Sequence, residues 1–218
     1  MLYDLNANVG YLVCAIMGYL LGSFNTAYIV GRLNGRDIRR AGSHNAGATN
    51  LFIVVGFKQG LFAAICDALK AVLAVRLASW LFPQSIHGGV LAGACSLVGH
   101  AWPFWMGFRG GKGFASFLGI ILATSGWGAF LGAIALAAIV IIVCDKMVFA
   151  TMAVMVIYPL YMYRHGFPMV EVCIMAIAAV LMIMKHRVNL VRLIHGEELG
   201  LRQMRRRKKA GDKAEDDA

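Results

Sequence analysis

The chain has 218 residues, of which 60% are hydrophobic and 15% charged, with a mean hydropathy of +0.69. A soluble domain carries roughly 45–50% apolar and about 25% charged residues, so a disordered chain, a disulfide-rich secreted scaffold and an ordinary soluble enzyme are excluded, leaving a small integral membrane protein. The net charge of +10 is uneven: ten of the 21 Lys and Arg lie between Lys185 and Lys213 and four more between Arg32 and Arg40, as expected for the cytoplasmic side of a membrane protein rather than for a nucleic-acid binder.

Residues 1–8 hold Asp4 and no Lys or Arg. A cleavable signal peptide needs a basic start, so the first apolar run is expected to stay in place as a span. Runs of membrane length then follow at residues 9–30, at 60–82 with Asp67, Lys70 and Arg76 inside, and at 86–106. The next run, 114–143, is too long for one upright helix, since a bilayer core needs about 20 residues. Ser125-Gly126-Trp127-Gly128 supplies turn residues in its middle. The expectation is therefore a short helix over 114–124 and a full span over 129–143, followed by spans at 147–163 and 168–184. Cys14, Cys66, Cys95, Cys144 and Cys173 are scattered singly with no metal-ligand spacing and read as small hydrophobes.

The expected fold is thus all-α, a bundle of about seven transmembrane helices, one of them short. With the basic C-terminal stretch in the cytoplasm, seven alternating spans also put 32–50, 107–113 and 145–146 inside. The N-terminus then lies outside, and among the outer segments only Arg164 breaks the positive-inside pattern. Five spans, with the long run and its neighbour folded differently, would also leave the N-terminus outside. Residues 1–201 read as one membrane domain. Residues 202–218, basic and then acidic, read as a disordered cytoplasmic tail.

The three inner stretches carry the chemistry. The first is Gly42-Ser43-His44-Asn45-Ala46-Gly47-Ala48-Thr49-Asn50, after Arg36, Arg39 and Arg40. Glycines let backbone N–H groups converge on an anion, and Ser43, Asn45, Thr49 and Asn50 add side-chain donors. The same residues would also serve as a turn and helix cap before Leu51. The second stretch runs from Gly99-His100 to Arg109-Gly110-Gly111-Lys112-Gly113 at the start of a helix. A lysine among glycines at a helix N-terminus suits phosphate. It is not a nucleotide loop, because Met106 stands where a first glycine would be needed and Gly113 where Ser or Thr would. A glycine turn with a snorkelling lysine is the alternative. The third is Lys185-His186-Arg187-Val188-Asn189-Leu190-Val191-Arg192, where His186 and Asn189, then Asn189 and Arg192, share a helical face. Deeper in the membrane, Asp67 and Lys70 are spaced to form an ion pair.

In order, spacing and common side, these motifs resemble the bacterial acyl-phosphate:glycerol-3-phosphate acyltransferases, the PlsY family. The resemblance runs over residues 9–197, through Gly22-Ser23, Asp37-Ile38-Arg39, the Gly42–Asn50 loop, Asp67-Ala68-Leu69-Lys70, Gly99-His100, Gly110-Gly111-Lys112-Gly113 and His186-Arg187-Val188-Asn189. It implies a seven-helix bundle in the bacterial inner membrane with its active site at the cytoplasmic face. The implied reaction transfers a fatty acyl group from acyl phosphate to the 1-hydroxyl of sn-glycerol 3-phosphate, giving lysophosphatidic acid for phospholipid synthesis. The substrates would be the partners, together with membrane lipid and an upstream enzyme that forms acyl phosphate, with no cofactor and no metal. Ser43, Lys112, His186 and Asn189 are the implied catalytic set. Arg39, Gly42, Asn45, Gly47, Thr49, Asn50, His100, Gly110, Gly111 and Gly113 are the implied substrate or phosphate contacts.

The sequence departs from the family pattern at several positions. Ile53 stands where the family carries a phosphate-contacting Arg, which shifts that task to Arg39 or Arg40. Asn25 replaces a usual Pro, His44 a usual Gly, and Ala71 a common Gly. The chemistry suits the residues present. Acyl phosphate is already activated, so no enzyme nucleophile is needed. There is no Gly-x-Ser-x-Gly elbow and no His-x4-Asp pair. What the reaction needs is two anions held together and a stabilised leaving phosphate. His186 is the candidate to orient the hydroxyl or take its proton, a task the substrate's own phosphate could also perform. A transporter or channel for a phosphorylated solute is the rival reading. It would favour internal repeats and a midplane site, whereas this chain shows no repeat and gathers its polar motifs at one interface. A structural membrane anchor accounts for Arg205–Lys209 but not for the glycine loops.

Overall fold

The computed structural model of the chain describes residues 2–198, Gly200 and Arg202, with side chains from residue 7 onward. Every regular element among them is helical. In chain order these are α1 (Leu2–Ser23), α2 (Thr26–Leu33), α3 (Ala48–Val54), α4 (Phe57–Leu81), α5 (Gly88–Ala101), α6 (Phe114–Cys144), α7 (Met147–Arg164), α8 (Met169–Lys185) and α9 (Arg187–Ile194), with single 3-10 turns at Ile38–Arg40 and Phe104–Met106. The stretches Ala7–Leu33, Phe114–Cys144 and Met147–Arg164 are each long and apolar enough to cross a bilayer. Helix α4 is also long, at 25 residues, but carries charges, and α5 is short, at 14 residues.

Gly126 breaks α6, with φ 77° and ψ −173° in the midst of helical neighbours, a conformation essentially restricted to glycine. The break falls in the turn read from the sequence. Counting the two parts of α6 separately, the described residues hold seven long helical segments. Just before the break, the Tyr158 hydroxyl lies 2.5 Å from Thr124 Oγ1 and 2.8 Å from Ser125 Oγ. The three hydroxyls thus satisfy one another at the edge of the core.

Two predicted spans end differently. The run 9–30 is two helices, not one, because Asn25 leaves the helical conformation (φ −97°, ψ 96°) and caps α2, its side-chain oxygen accepting the Tyr28 N–H at 2.9 Å. The run 86–106 leaves helix at Trp102, ahead of Pro103, since a residue before proline is disfavoured in the α region.

The tightest packing joins α1 to α5. Gly18 and Gly22, one turn apart, lie so close to the Ala92 and Ser96 backbones that a Cβ at either would collide with a carbonyl oxygen. Small residues at this spacing let membrane helices meet at the backbone. The main core lies beside them, from Leu97 and Ala101 of α5, Phe117, Ile120 and Ile121 of α6, Val154 and Met155 of α7, and Met175 and Met182 of α8. The second part of α6 contributes little: Ala137 is its buried residue, and Leu131, Ile139, Ile142 and Val143 are exposed.

These facts separate three glycines. Gly126→Ala is expected to lower stability by about 1–3 kcal/mol, the cost of a Cβ in that backbone region, even though nothing lies within 4 Å of the new atom. Gly128→Ala and Gly132→Ala meet equally open space with helical backbone, and should be neutral or stabilising by about 0.5–1 kcal/mol. Thermal unfolding of the three variants in one detergent checks the contrast.

Candidate active site

Three segments meet at one end of the bundle. The first, between α2 and α3, is held by Asn50. This residue is fully buried; its side-chain oxygen accepts the Ser43 N–H at 2.7 Å and its amide donates to the Ile38 and Ala41 carbonyls at 2.6 and 3.0 Å. All of its polar atoms are spent inside the loop, so Asn50 shapes the loop from below. Asn25 adds a tether, donating to the Ala46 carbonyl at 3.0 Å. Gly42 and His44 have φ of 61° and 60°. His44 thus takes a left-handed conformation that a glycine adopts without strain. Gly47 caps α3, Asn45 Nδ2 stands beside it, and Thr49 is exposed in the first turn. The helix begins at Ala48, so its cap lies before Leu51, as the turn-and-cap reading of this stretch expects.

Arg39 is engaged as a clamp. Its guanidinium donates twice to Asp37 at 2.9 and 3.1 Å, reaches the Met106 carbonyl at 3.3 Å, and lies 4.4 Å over the Tyr28 ring. The Asp37 carboxyl is held at about 2, first by its hydrogen bond from Arg39. Arg40 is exposed, and Arg36 donates to the Val54 carbonyl at 2.9 Å, next to the half-exposed Ile53.

The second segment is the glycine stretch. Gly110 N–H donates to the Ala101 carbonyl and Gly111 N–H to the His100 carbonyl, each at 3.1 Å. The chain thereby folds back on the end of α5 and enters α6 at Gly113 (φ 76°). The Ala46 carbonyl lies 3.0 Å from where a Gly111 Cβ would be, so the first two segments touch. Lys112 emerges between glycines and donates from Nζ to Asn189 Oδ1.

The third segment supplies Asn189. Helices α8 and α9 bend by 50° at His186, so the face shared by His186 and Asn189 turns inward rather than continuing the span. Lys185 anchors the bend by donating to the Ala101 carbonyl at 2.6 Å and lying 4.7 Å over the Trp102 ring. His186 is buried, and its Nδ1 donates to the Met182 carbonyl at 2.8 Å, leaving Nε2 as the lone-pair nitrogen of a neutral ring. Burial, together with nearby Lys112, lowers its pKa to about 4 against the opposing Met182 hydrogen bond. Burial likewise brings the Lys112 ammonium down to about 8, with Glu198 raising it and Arg192 lowering it.

The structure therefore gathers Lys112, His186 and Asn189 around the glycine stretch, with His100 beneath it. The Ser43 loop adjoins through Ala46, and Arg39 and Asn50 serve as struts of that loop. One neighbour escaped the sequence reading: Glu198 Oε1 accepts the Asn189 amide at 2.6 Å, and its backbone carbonyl accepts Lys146 Nζ. The signal was an acidic pair, Glu197-Glu198, inside an otherwise basic stretch. The strap continues to Arg202, whose N–H donates to Asp145 Oδ1 at 3.1 Å; residues 203–218, most of the expected tail, lie outside the described residues.

The family model described as glycerol-3-phosphate acyltransferase matches residues 12–196. A glycerol-3-phosphate acyltransferase of Prochlorococcus marinus (strain MIT 9215) is 37% identical over 188 residues, covering 85% of this chain and 94% of its own length. One of Brucella anthropi is 36% identical over 187 residues, covering 84% and 89%. Among solved structures, PlsY (YgiH), an integral membrane glycerol 3-phosphate acyltransferase, is similar in its glycerol 3-phosphate form at TM-score 0.81 and 30% identity, covering 88% of this chain and 95% of that one. Its lysophosphatidic acid form matches at TM-score 0.80 and 29% identity, covering 89% and 97%. With nearly the whole chain matched in sequence and in fold, this all-α integral membrane protein belongs to the glycerol-3-phosphate acyltransferase family.

Proposed function

We propose that the protein transfers a fatty acyl group from acyl phosphate to the 1-hydroxyl of sn-glycerol 3-phosphate, releasing lysophosphatidic acid and inorganic phosphate. The observation that carries the reading is the meeting of Lys112, Asn189 and neutral His186 at a glycine-lined helix N-terminus. The matched PlsY structures, in glycerol 3-phosphate and lysophosphatidic acid forms, support the acceptor and the product. The donor is the one the family resemblance implies, and the residues suit it: an acyl phosphate brings an activated carbonyl and a second phosphate to a site that offers cations and backbone donors but no elbow serine.

In the proposed reaction the glycerol 1-hydroxyl oxygen bonds to the acyl carbon and the bond from that carbon to the phosphate oxygen breaks. His186 Nε2 takes the hydroxyl proton. Lys112 and the backbone N–H groups at the start of α6 stabilise charge on the reacting phosphates, where partial burial strengthens each contact. Ser43, Asn45, Thr49 and the Gly42–Gly47 loop hold the glycerol phosphate, and Asn189 aims the Lys112 ammonium. Arg40, exposed beside the clamped Arg39, takes the task of the missing arginine at Ile53.

This end is read as cytoplasmic, in a bacterial inner membrane with the N-terminus outside, and the basic segments gathered here support the orientation. An acyl-phosphate-forming enzyme would supply the donor from that side. The membrane domain, expected over residues 1–201, carries the chemistry; because Arg202 reaches Asp145, the part of the 202–218 tail proposed to be dispensable is 203–218.

Purified protein given synthetic acyl phosphate and glycerol 3-phosphate is expected to produce lysophosphatidic acid and phosphate in equal amounts. Absence of turnover by folded protein would refute the reading. Lys112→Met keeps the apolar stem and removes the charge, and should lose about ten- to hundredfold in kcat/KM, as expected for a charge-assisted contact. The lysine is charged below its pKa of about 8, so kcat/KM should fall as pH rises through that value, and the fall should vanish in Lys112→Met. Deleting residues 203–218 should leave turnover in detergent largely unchanged.

A further inference from the structure

Two buried ionisable side chains of α4 have no part in substrate contact as proposed above. Asp67 is 2% exposed and Lys70 is 8% exposed, and charges so deep in a membrane protein are costly unless paired. The Lys70 ammonium donates to the Phe24 carbonyl at 2.8 Å and to His100 Nδ1 at 3.0 Å, and pairs as an ion with Asp67 Oδ1 at 2.7 Å, outside hydrogen-bond geometry. These partners belong to the break between α1 and α2, to α5 and to α4. His100 Nδ1 is 3.5 Å from Asp67 Oδ1, too long for a good hydrogen bond, so the ammonium is its working partner. A ring nitrogen that accepts from an ammonium carries no proton, and the single proton of the neutral ring then sits on Nε2.

That second nitrogen is turned toward the candidate active site. A Cβ on Gly111 would collide with His100 Nε2, and the Ala46 carbonyl stands 3.0 Å from the same point. The imidazole therefore lies beneath the junction of the first two loops, one residue from Lys112.

We infer that Asp67 and Lys70 are positioning residues for the site: the ammonium, held by the Asp67 carboxylate, fixes His100 as the Nε2–H tautomer, so that a donor faces the loop junction where substrate phosphate is bound. The inference rests on the glycerol phosphate reading of that site. In the opposite tautomer a lone pair would face the loop junction and repel an incoming phosphate. The sequence spacing alone suggested an ion pair; the geometry ties that pair to the loop.

The test is nitrogen NMR of the full chain, labelled with 15N-histidine, in detergent micelles, with the His100 signal assigned by its loss in His100→Gln. The wild-type protein is expected to show the Nε2–H tautomer. Lys70→Met should lose that fixed pattern and raise KM for glycerol 3-phosphate about tenfold, the loss of one charge-assisted contact, with a smaller change in kcat. An Nδ1–H tautomer in the wild type would overturn the inference, as would a folded Lys70→Met variant that keeps the wild-type tautomer or KM. Should Lys70→Met fail to fold, the wild-type tautomer decides alone. Should the wild type lack acyl transfer, the functional reading falls while the tautomer measurement still decides the role of Lys70.

Discussion

A broken helix inside an apolar medium must find partners for the backbone groups it frees. The break between α1 and α2 leaves the Phe24 carbonyl without a place in either helix, and the Lys70 ammonium, anchored by Asp67, donates to it. Much of the active end depends on this junction. The break turns Asn25 toward the first loop, where its amide holds Ala46. The lysine also joins α4 to His100 at the end of α5, where the glycine stretch folds back. A charge that would be a liability elsewhere thus connects the break, two helices and two loops.

The same economy governs the cations nearer the surface. Lys112 and Arg192 crowd one another, and Glu198 offsets part of their repulsion. Lys185 is tied to a carbonyl and an aromatic face. Their positions are set by neighbours before any anion arrives, which is what preorganised electrostatic stabilisation requires. Much of the polar apparatus of the loops is likewise internal: Asn50 and Arg39 hold the scaffold, and Lys112 and the buried His186 ring are left for the site.

The helices were legible because apolar runs and turn residues are local signals: Gly126 stands in the tetrapeptide that split the long run. The break at Asn25 was not legible, since a single capping residue is outweighed by the apolar run around it, and its second partner, Ala46, is distant in sequence. The motif lysine, histidine and asparagine were readable from residue type and spacing, and the structure brings Lys112 and Asn189 into contact. Sequence could not show that Asn50 and Arg39 turn inward, because donors that bind a ligand and donors that bind a loop look alike. Glu198 was hidden for a related reason, its role depending on a strap that returns to the turn between α6 and α7.

The second part of α6 has a consequence for how this protein can change over time. Beyond the break, most of its side chains face outward, with Ala137 the buried exception. Lipid tails do not discriminate among Leu, Ile, Val and Phe. The exposed positions among residues 127–144, such as Leu131, Ile139, Ile142 and Val143, can therefore exchange one apolar side chain for another across generations, whereas Phe130, Leu136 and Ile141 are held by the core they pack against. At those exposed positions selection acts on length and hydropathy rather than on the identity of the side chain.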